Sequence, residues 1–244
     1  MASGSTAGGL AMREAVADGI VPVNLELGGN DPAYVRPHAD LACCAVERIY
    51  VHQDVHDQFV KALQDELKDY VVIYEYDSHA DESLLNFDPG TPLTINAQIS
   101  DALTKGAVNA TPENMSFTSA FKDGNFVAPI LLTNVTHDMQ VMREETFGPV
   151  IPVAKVKDDD EAVRLMNDTE YGLTASVWTK DIARGEELIE LLEAGTVFVN
   201  RCDYPNPDLA WTGWKRSGLG CTLGPRGYDA FVKLKSYHVK EKQG

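Results

Sequence analysis

Apolar and polar positions along this chain keep two periods, and the points where the period changes mark the predicted elements. Good helix formers fill 7–17 behind a Ser3-Gly4-Ser5-Thr6 start, which predicts a capped helix. Past Gly19, the run 20–27 reads as a strand that ends in Glu26-Leu27-Gly28-Gly29. Asp31-Pro32 breaks that run, and Ala33-Tyr34-Val35 predicts a second short strand. A β-branched and aromatic stretch predicts a strand over 47–51. Val55, Phe59, Leu63 and Leu67 at helical spacing predict an amphipathic surface helix over 55–67. Between 70 and 92 the period is lost and no element is predicted. Beyond it the pattern predicts a helix over 95–107 closing at Gly106, then strands over 126–132 and 150–155. A helix over 158–167 opens on three aspartates that complement its dipole. Strands over 174–178 and 196–199 flank a helix over 182–192 that Gly195 closes, and a short helix over 226–231 leads into an alternating edge strand over 232–239. Strands and helices taking turns predict an α/β layered domain.

Composition narrows the class. The chain has 244 residues, 44% of them hydrophobic, enough to bury a core as one large or two small domains. Its 21 basic against 37 acidic residues give a charge of -16, which argues against nucleic acid or an anionic membrane as partner. No apolar run approaches the roughly 18 residues needed to span a bilayer. Cys43, Cys44, Cys202 and Cys221 lack disulfide-scaffold or zinc-type spacing, and no signal peptide is evident. A reducing, cytoplasmic setting without a metal site is the expectation.

Five stretches carry candidate chemistry. Ala42-Cys43-Cys44-Ala45 runs directly into a strand, where a thiol is either a nucleophile or a small buried apolar residue. Glu26 ahead of a glycine pair can project into a cleft as a general base. Ser3-Gly4-Ser5-Thr6 is either a phosphate cradle at a helix start or an ordinary N-cap. Glu144-Glu145-Thr146-Phe147-Gly148-Pro149 is a turn that faces a cleft or merely solvent. Trp211-Thr212-Gly213-Trp214-Lys215-Arg216-Ser217-Gly218 sets aromatic rings on a glycine frame, as a pocket wall or a core plug.

Taken in order, Leu25-Glu26-Leu27-Gly28-Gly29, Cys43 with its strand, Glu144 to Pro149, Tyr171-Gly172-Leu173-Thr174-Ala175 and Gly213 to Gly218 resemble the aldehyde dehydrogenase superfamily over nearly the whole chain. The resemblance implies an α/β fold, a three-layer open sheet with flanking helices as in that family's catalytic domain. It divides the chain into a remnant of a dinucleotide-binding domain (1–27), a catalytic domain (28–225) and a C-terminal oligomerisation strand (226–244). By resemblance Cys43 is the nucleophile that forms a thiohemiacetal and then a thioester, and Glu26 is the base. Gly4, Ser5, Leu27, Glu145 and Phe147 are implied to bind NAD or NADP. Trp211 lines the substrate channel, and Cys44 neighbours the nucleophile. The implied partners are a small-molecule aldehyde and a second copy of the chain. Family members are longer, and the asparagine and lysine that their preceding domain contributes have no counterpart here. A helix and an Asn-x-Gly-Gln segment that the family places before its cysteine are replaced by Ala42 alone, and Asn30 stands where lysine is common. Two expectations therefore stand side by side. One is an aldehyde-oxidising enzyme; the other is an inactive relative that keeps scaffold or subunit contacts.

Overall fold

The computed structural model describes residues 2–19, 22–36, 46–68, 90–113, 127, 129–202 and 204–241. The unpatterned stretch near 70–89 falls outside them, as do Cys43 and Cys44.

The larger sheet is built from β3 (Pro32–Val35), β4 (Arg48–His52), β5 (Val108–Asn109), β6 (Ile130–Thr133), β7 (Val150–Val156), β8 (Thr174–Trp178) and β9 (Thr196–Val199). Their order across it is β5-β6-β7-β4-β3-β8-β9. Every pair is parallel except β5 with β6. Helices cover both faces, so the central strands are apolar throughout rather than alternating with polar residues. On one face Tyr34, Tyr50, Ala154 and Val177 pack with Ile95 and Ala102 of α3 (Thr91–Thr104), Met166 of α4 (Asp159–Asn167) and Leu188 of α5 (Ile182–Ile189). On the other, Ala33, Val35, Ile49, Val51 and Trp178 meet Phe59, Leu63 and Leu67 of α2 (His56–Lys68). Each fully buried aliphatic or aromatic side chain contributes roughly 1.5–3 kcal/mol, so these two clusters hold the three layers together.

A charged residue stands in the middle of this packing. Arg48 is fully buried, and its guanidinium donates to the Asn30 carbonyl at 2.8 Å, the Tyr50 hydroxyl at 3.0 Å and the Met166 carbonyl at 3.2 Å. A buried cation is tolerated only when its donors are satisfied. Here the bonds tie the entry to β3 to the end of α4.

A second, three-stranded sheet has β2 (Leu25–Glu26) at its centre, parallel to β1 (Ala2–Ser3) and antiparallel to β10 (Gly218–Leu219). Helix α1 (Thr6–Ala15) follows β1. Of the strand expected over 20–27, residues 20 and 21 lie outside the described residues, and among the rest the strand is Leu25–Glu26, the residues that find partners on both sides. The helix expected from 95 begins at Thr91, because Pro92 is suited to a first turn. The helix expected to run to 192 stops at Ile189. A 3-10 helix, Pro225–Phe231, occupies the position of the short terminal helix. The edge strand expected over 232–239 is corrected: among the described residues it pairs with nothing, and Leu234 is 100% exposed. Alternation makes a backbone suited to a sheet, but a strand forms only where another edge supplies its hydrogen bonds.

Candidate functional site

Most of the sequence candidates meet around β2 and the glycines that follow it. The segment is held from both sides: Ser3 pairs with Glu26 across β1, and Gly218 with Glu26 across β10. The Gly4 amide donates to the Glu26 carbonyl at 3.1 Å, and the Leu27 amide to the Ser217 carbonyl at 2.8 Å. Ser5 then caps α1, its Oγ accepting from the Gly8 amide at 3.2 Å. A β-carbon on Gly9 would overlap the Leu27 side chain, so the start of α1 lies directly over that residue. A helix N-terminus with its dipole is thereby fixed beside the end of β2, a suitable seat for an anion such as a pyrophosphate.

The acidic turn closes on the same segment from the other side. Glu145 Oε1 accepts from the Gly29 amide at 2.9 Å, and a β-carbon on Gly28 would strike the Glu145 carboxylate. Asn30 Nδ2 donates to the Glu144 carbonyl at 2.5 Å, and Gln98 Nε2 to the Glu145 carbonyl at 3.3 Å. Phe147 holds φ +49° and the residue is 71% exposed, so it is presented mainly to the outside.

Glu47 completes the arrangement. Its carboxylate accepts from the Thr146 amide at 2.9 Å and the Phe147 amide at 2.8 Å, while its own amide donates to the Asp31 carbonyl at 3.0 Å. Burial pushes the Glu47 carboxyl up to about 7; the two amide bonds oppose that rise, and the nearby charges of Glu145 and Asp31 add to it. Tyr171 is likewise raised, by burial and then by the charge of Glu145.

The third group faces an open hollow of about 1120 Å³. Glu26, Trp211, Asp208, Tyr228 and Phe231 line it. The Thr222 hydroxyl donates to Glu26 Oε1, and Thr222 is itself fixed by a bridge to Trp211 with backbone bonds of 2.6 and 2.8 Å. An aromatic wall beside an oriented carboxylate suits a small organic substrate and an activated water.

Asn30, Glu47 and the 144–149 turn all sit at the amino ends of β3, β4 and β7. Open parallel sheets more often bind at the carboxyl ends of their strands. The segments that carry the site here precede those strands in sequence, and parallel alignment brings them to one edge.

The structure thus gathers Gly4, Ser5, Leu27 and Glu145 about β2, sets Phe147 outward beside them, and places Glu26 and Trp211 on one hollow. Sequence reasoning missed Glu47 and Thr222. The signal for Glu47 was present: a carboxylate heading a strand that is otherwise buried needs partners. Thr222 had no local signal, because its contact spans the whole chain. Among the described residues, no group of three or more His, Cys, Asp or Glu converges as a metal site, and no helix is long and apolar enough to cross a membrane.

The Aldehyde dehydrogenase family model matches residues 1–237. The 3,6-anhydro-alpha-L-galactose dehydrogenase of Streptomyces coelicolor is 35% identical, over 98% of this chain and 52% of its own length. A non-phosphorylating aspartate-semialdehyde dehydrogenase of Halomonas elongata is 36% identical, over 96% and 50%. The crystal structure of betaine aldehyde dehydrogenase from Staphylococcus aureus with NAD+ superposes with a TM-score of 0.82 at 28% identity, covering 93% of this chain and 48% of that one. The chain spans about half the length of the curated relatives it matches.

Proposed function

The chain belongs to the aldehyde dehydrogenase family, and on that premise we propose that it oxidises an aldehyde to the carboxylic acid with NAD+ or NADP+, Cys43 acting as nucleophile and Glu26 as general base. The observation that carries the proposal is the convergence on one segment, 25–29, of a capped helix start, the Glu145 carboxylate and the hollow beside Glu26. This donor set suits a nicotinamide dinucleotide. Gly4 and Ser5, just ahead of the first turn of α1, would lie beside the pyrophosphate with Leu27 beneath them, Glu145 would serve ribose hydroxyls, and the exposed Phe147 would lie against the sugar. The chemistry a bound nicotinamide supplies is hydride acceptance.

The remaining steps belong to this chain. The Cys43 thiolate forms a C–S bond to the aldehyde carbon, and loss of hydride from that adduct leaves a thioester on sulfur. Glu26, oriented by Thr222, takes a proton from water as the water adds to the thioester carbon. Breaking the C–S bond releases the acid and restores the thiolate. Trp211 walls the aldehyde's side of the hollow. A reducing compartment such as the cytoplasm keeps Cys43 available.

The test adds NAD+ or NADP+ to the purified chain and follows thermal unfolding together with reduced-nicotinamide absorbance over a panel of aldehydes. Cofactor at a hundredfold its Kd stabilises by about 2.7 kcal/mol, which raises Tm by several degrees. Cys43→Ala abolishes turnover while keeping that shift, and Glu26→Gln lowers turnover by roughly 10²–10⁴-fold. No shift with millimolar cofactor would overturn the proposal.

A second reading has its own observation. Phe231 (80%), Leu234 (100%) and Val239 (86%) stand exposed on the C-terminal arm, a surface suited to strand pairing with a second copy of the chain. On that reading the chain acts through subunit contact without turnover.

A further inference from the structure

We infer that Glu47 is a positioning residue whose ionised carboxylate pins the 144–149 turn, and so the presentation of Glu145 and Phe147, through two consecutive backbone amides. Only the consequence for cofactor rests on the function proposed above; the pin itself rests on geometry. The Thr146 amide donates to Oε2 at 2.9 Å and the Phe147 amide to Oε1 at 2.8 Å, so both oxygens are engaged at once. A carboxylate offers two full acceptors at that spacing, whereas a protonated acid or an amide offers one.

The turn needs such a pin. Phe147 occupies the left-handed region, which a β-carbon disfavours, and a residue so largely exposed gains little packing to compensate. Asn30, Gln98 and Gly29 hold residues 144 and 145, and Glu47 holds the next two. The groups facing Glu47 are the carboxylates of Glu145 and Asp31 and the Tyr171 phenol. Arg48, next in sequence, directs its guanidinium to Asn30, Tyr50 and Met166 instead. Burial brings Glu47 up to about 7, so the pin tightens above neutrality and slackens below it.

Hydrogen exchange by mass spectrometry on the full chain at about pH 6 and pH 8, normalised for intrinsic exchange, tests this. Protection over 146–147 rises roughly tenfold with pH in the wild type and stays flat in Glu47→Gln. Equal wild-type protection at both pH values overturns the inference, as does the same rise in the variant. The wild-type comparison decides alone if the variant fails to fold. NAD+ affinity by calorimetry then separates the two proposals. Affinity that follows protection supports the link to cofactor. A protection rise without any NAD+ binding overturns the cofactor reading and leaves the pin standing.

Discussion

At Gly28, the lack of a β-carbon is what lets the Glu145 carboxylate lie against the backbone and accept from Gly29. The two residues are 117 positions apart, and a single methyl group would separate them. Gly28→Ala is therefore expected to push the carboxylate off the glycine turn, at about 1–3 kcal/mol of stability, the usual range for overpacking. Urea denaturation reads that loss, and NAD+ calorimetry should show weaker binding in the same variant. Unchanged stability with unchanged cofactor affinity would mean that the turn does not depend on this close approach. Glu26 shows the opposite economy at this scale: its carboxylate keeps one fixed partner, the Thr222 hydroxyl, beside an open hollow.

Among the elements, the entries to β3, β4 and β7 are tied together by the Glu47 carboxylate and the Asp31 carbonyl. This connection makes stability depend on pH. The folded-state value of Glu47, about 7, lies above its ordinary 4.5, so between the two the folded chain holds a proton that the unfolded chain has released. Its contribution is fully present below 4.5 and is lost as pH rises through 7. Wild-type stability is thus expected to fall across that window by at most about 3 kcal/mol relative to Glu47→Gln, in which the term is absent. Denaturant midpoints measured in steps across the window check the prediction, and parallel pH curves for the two proteins would refute it. Low pH favours the folded core in this way while loosening the turn, because protonation relieves the burial of charge and removes one good acceptor together.

Over the whole molecule, the C-terminal arm is a segment that pairs with no strand among the described residues. Phe231, Leu234, Tyr237 and Val239 are each largely exposed, and the subunit-contact reading proposed above rests on that exposure. On that reading, the wild-type chain is expected to form a dimer that removal of 232–241 converts to a monomer in sedimentation or size-exclusion measurements, without lowering Tm of the monomeric core. A wild-type chain that stays monomeric at high concentration would eliminate the arm as a contact. The sequence by itself determined the α/β class, the positions of most strands and helices, and the motifs that resemble the aldehyde dehydrogenases, because period, caps and turn residues are local properties. Strands over 174–178 and 196–199 were legible to the residue for that reason. The tertiary structure decided which motifs meet. Glu145 reaches Gly29 and Glu47 reaches Thr146 because parallel strand order brings the amino ends of β3, β4 and β7 together, and Thr222 reaches Glu26 beside the antiparallel pair of β2 and β10. It also decided that 232–239 has no partner within the described chain, since a strand is completed by hydrogen bonds that come from another segment.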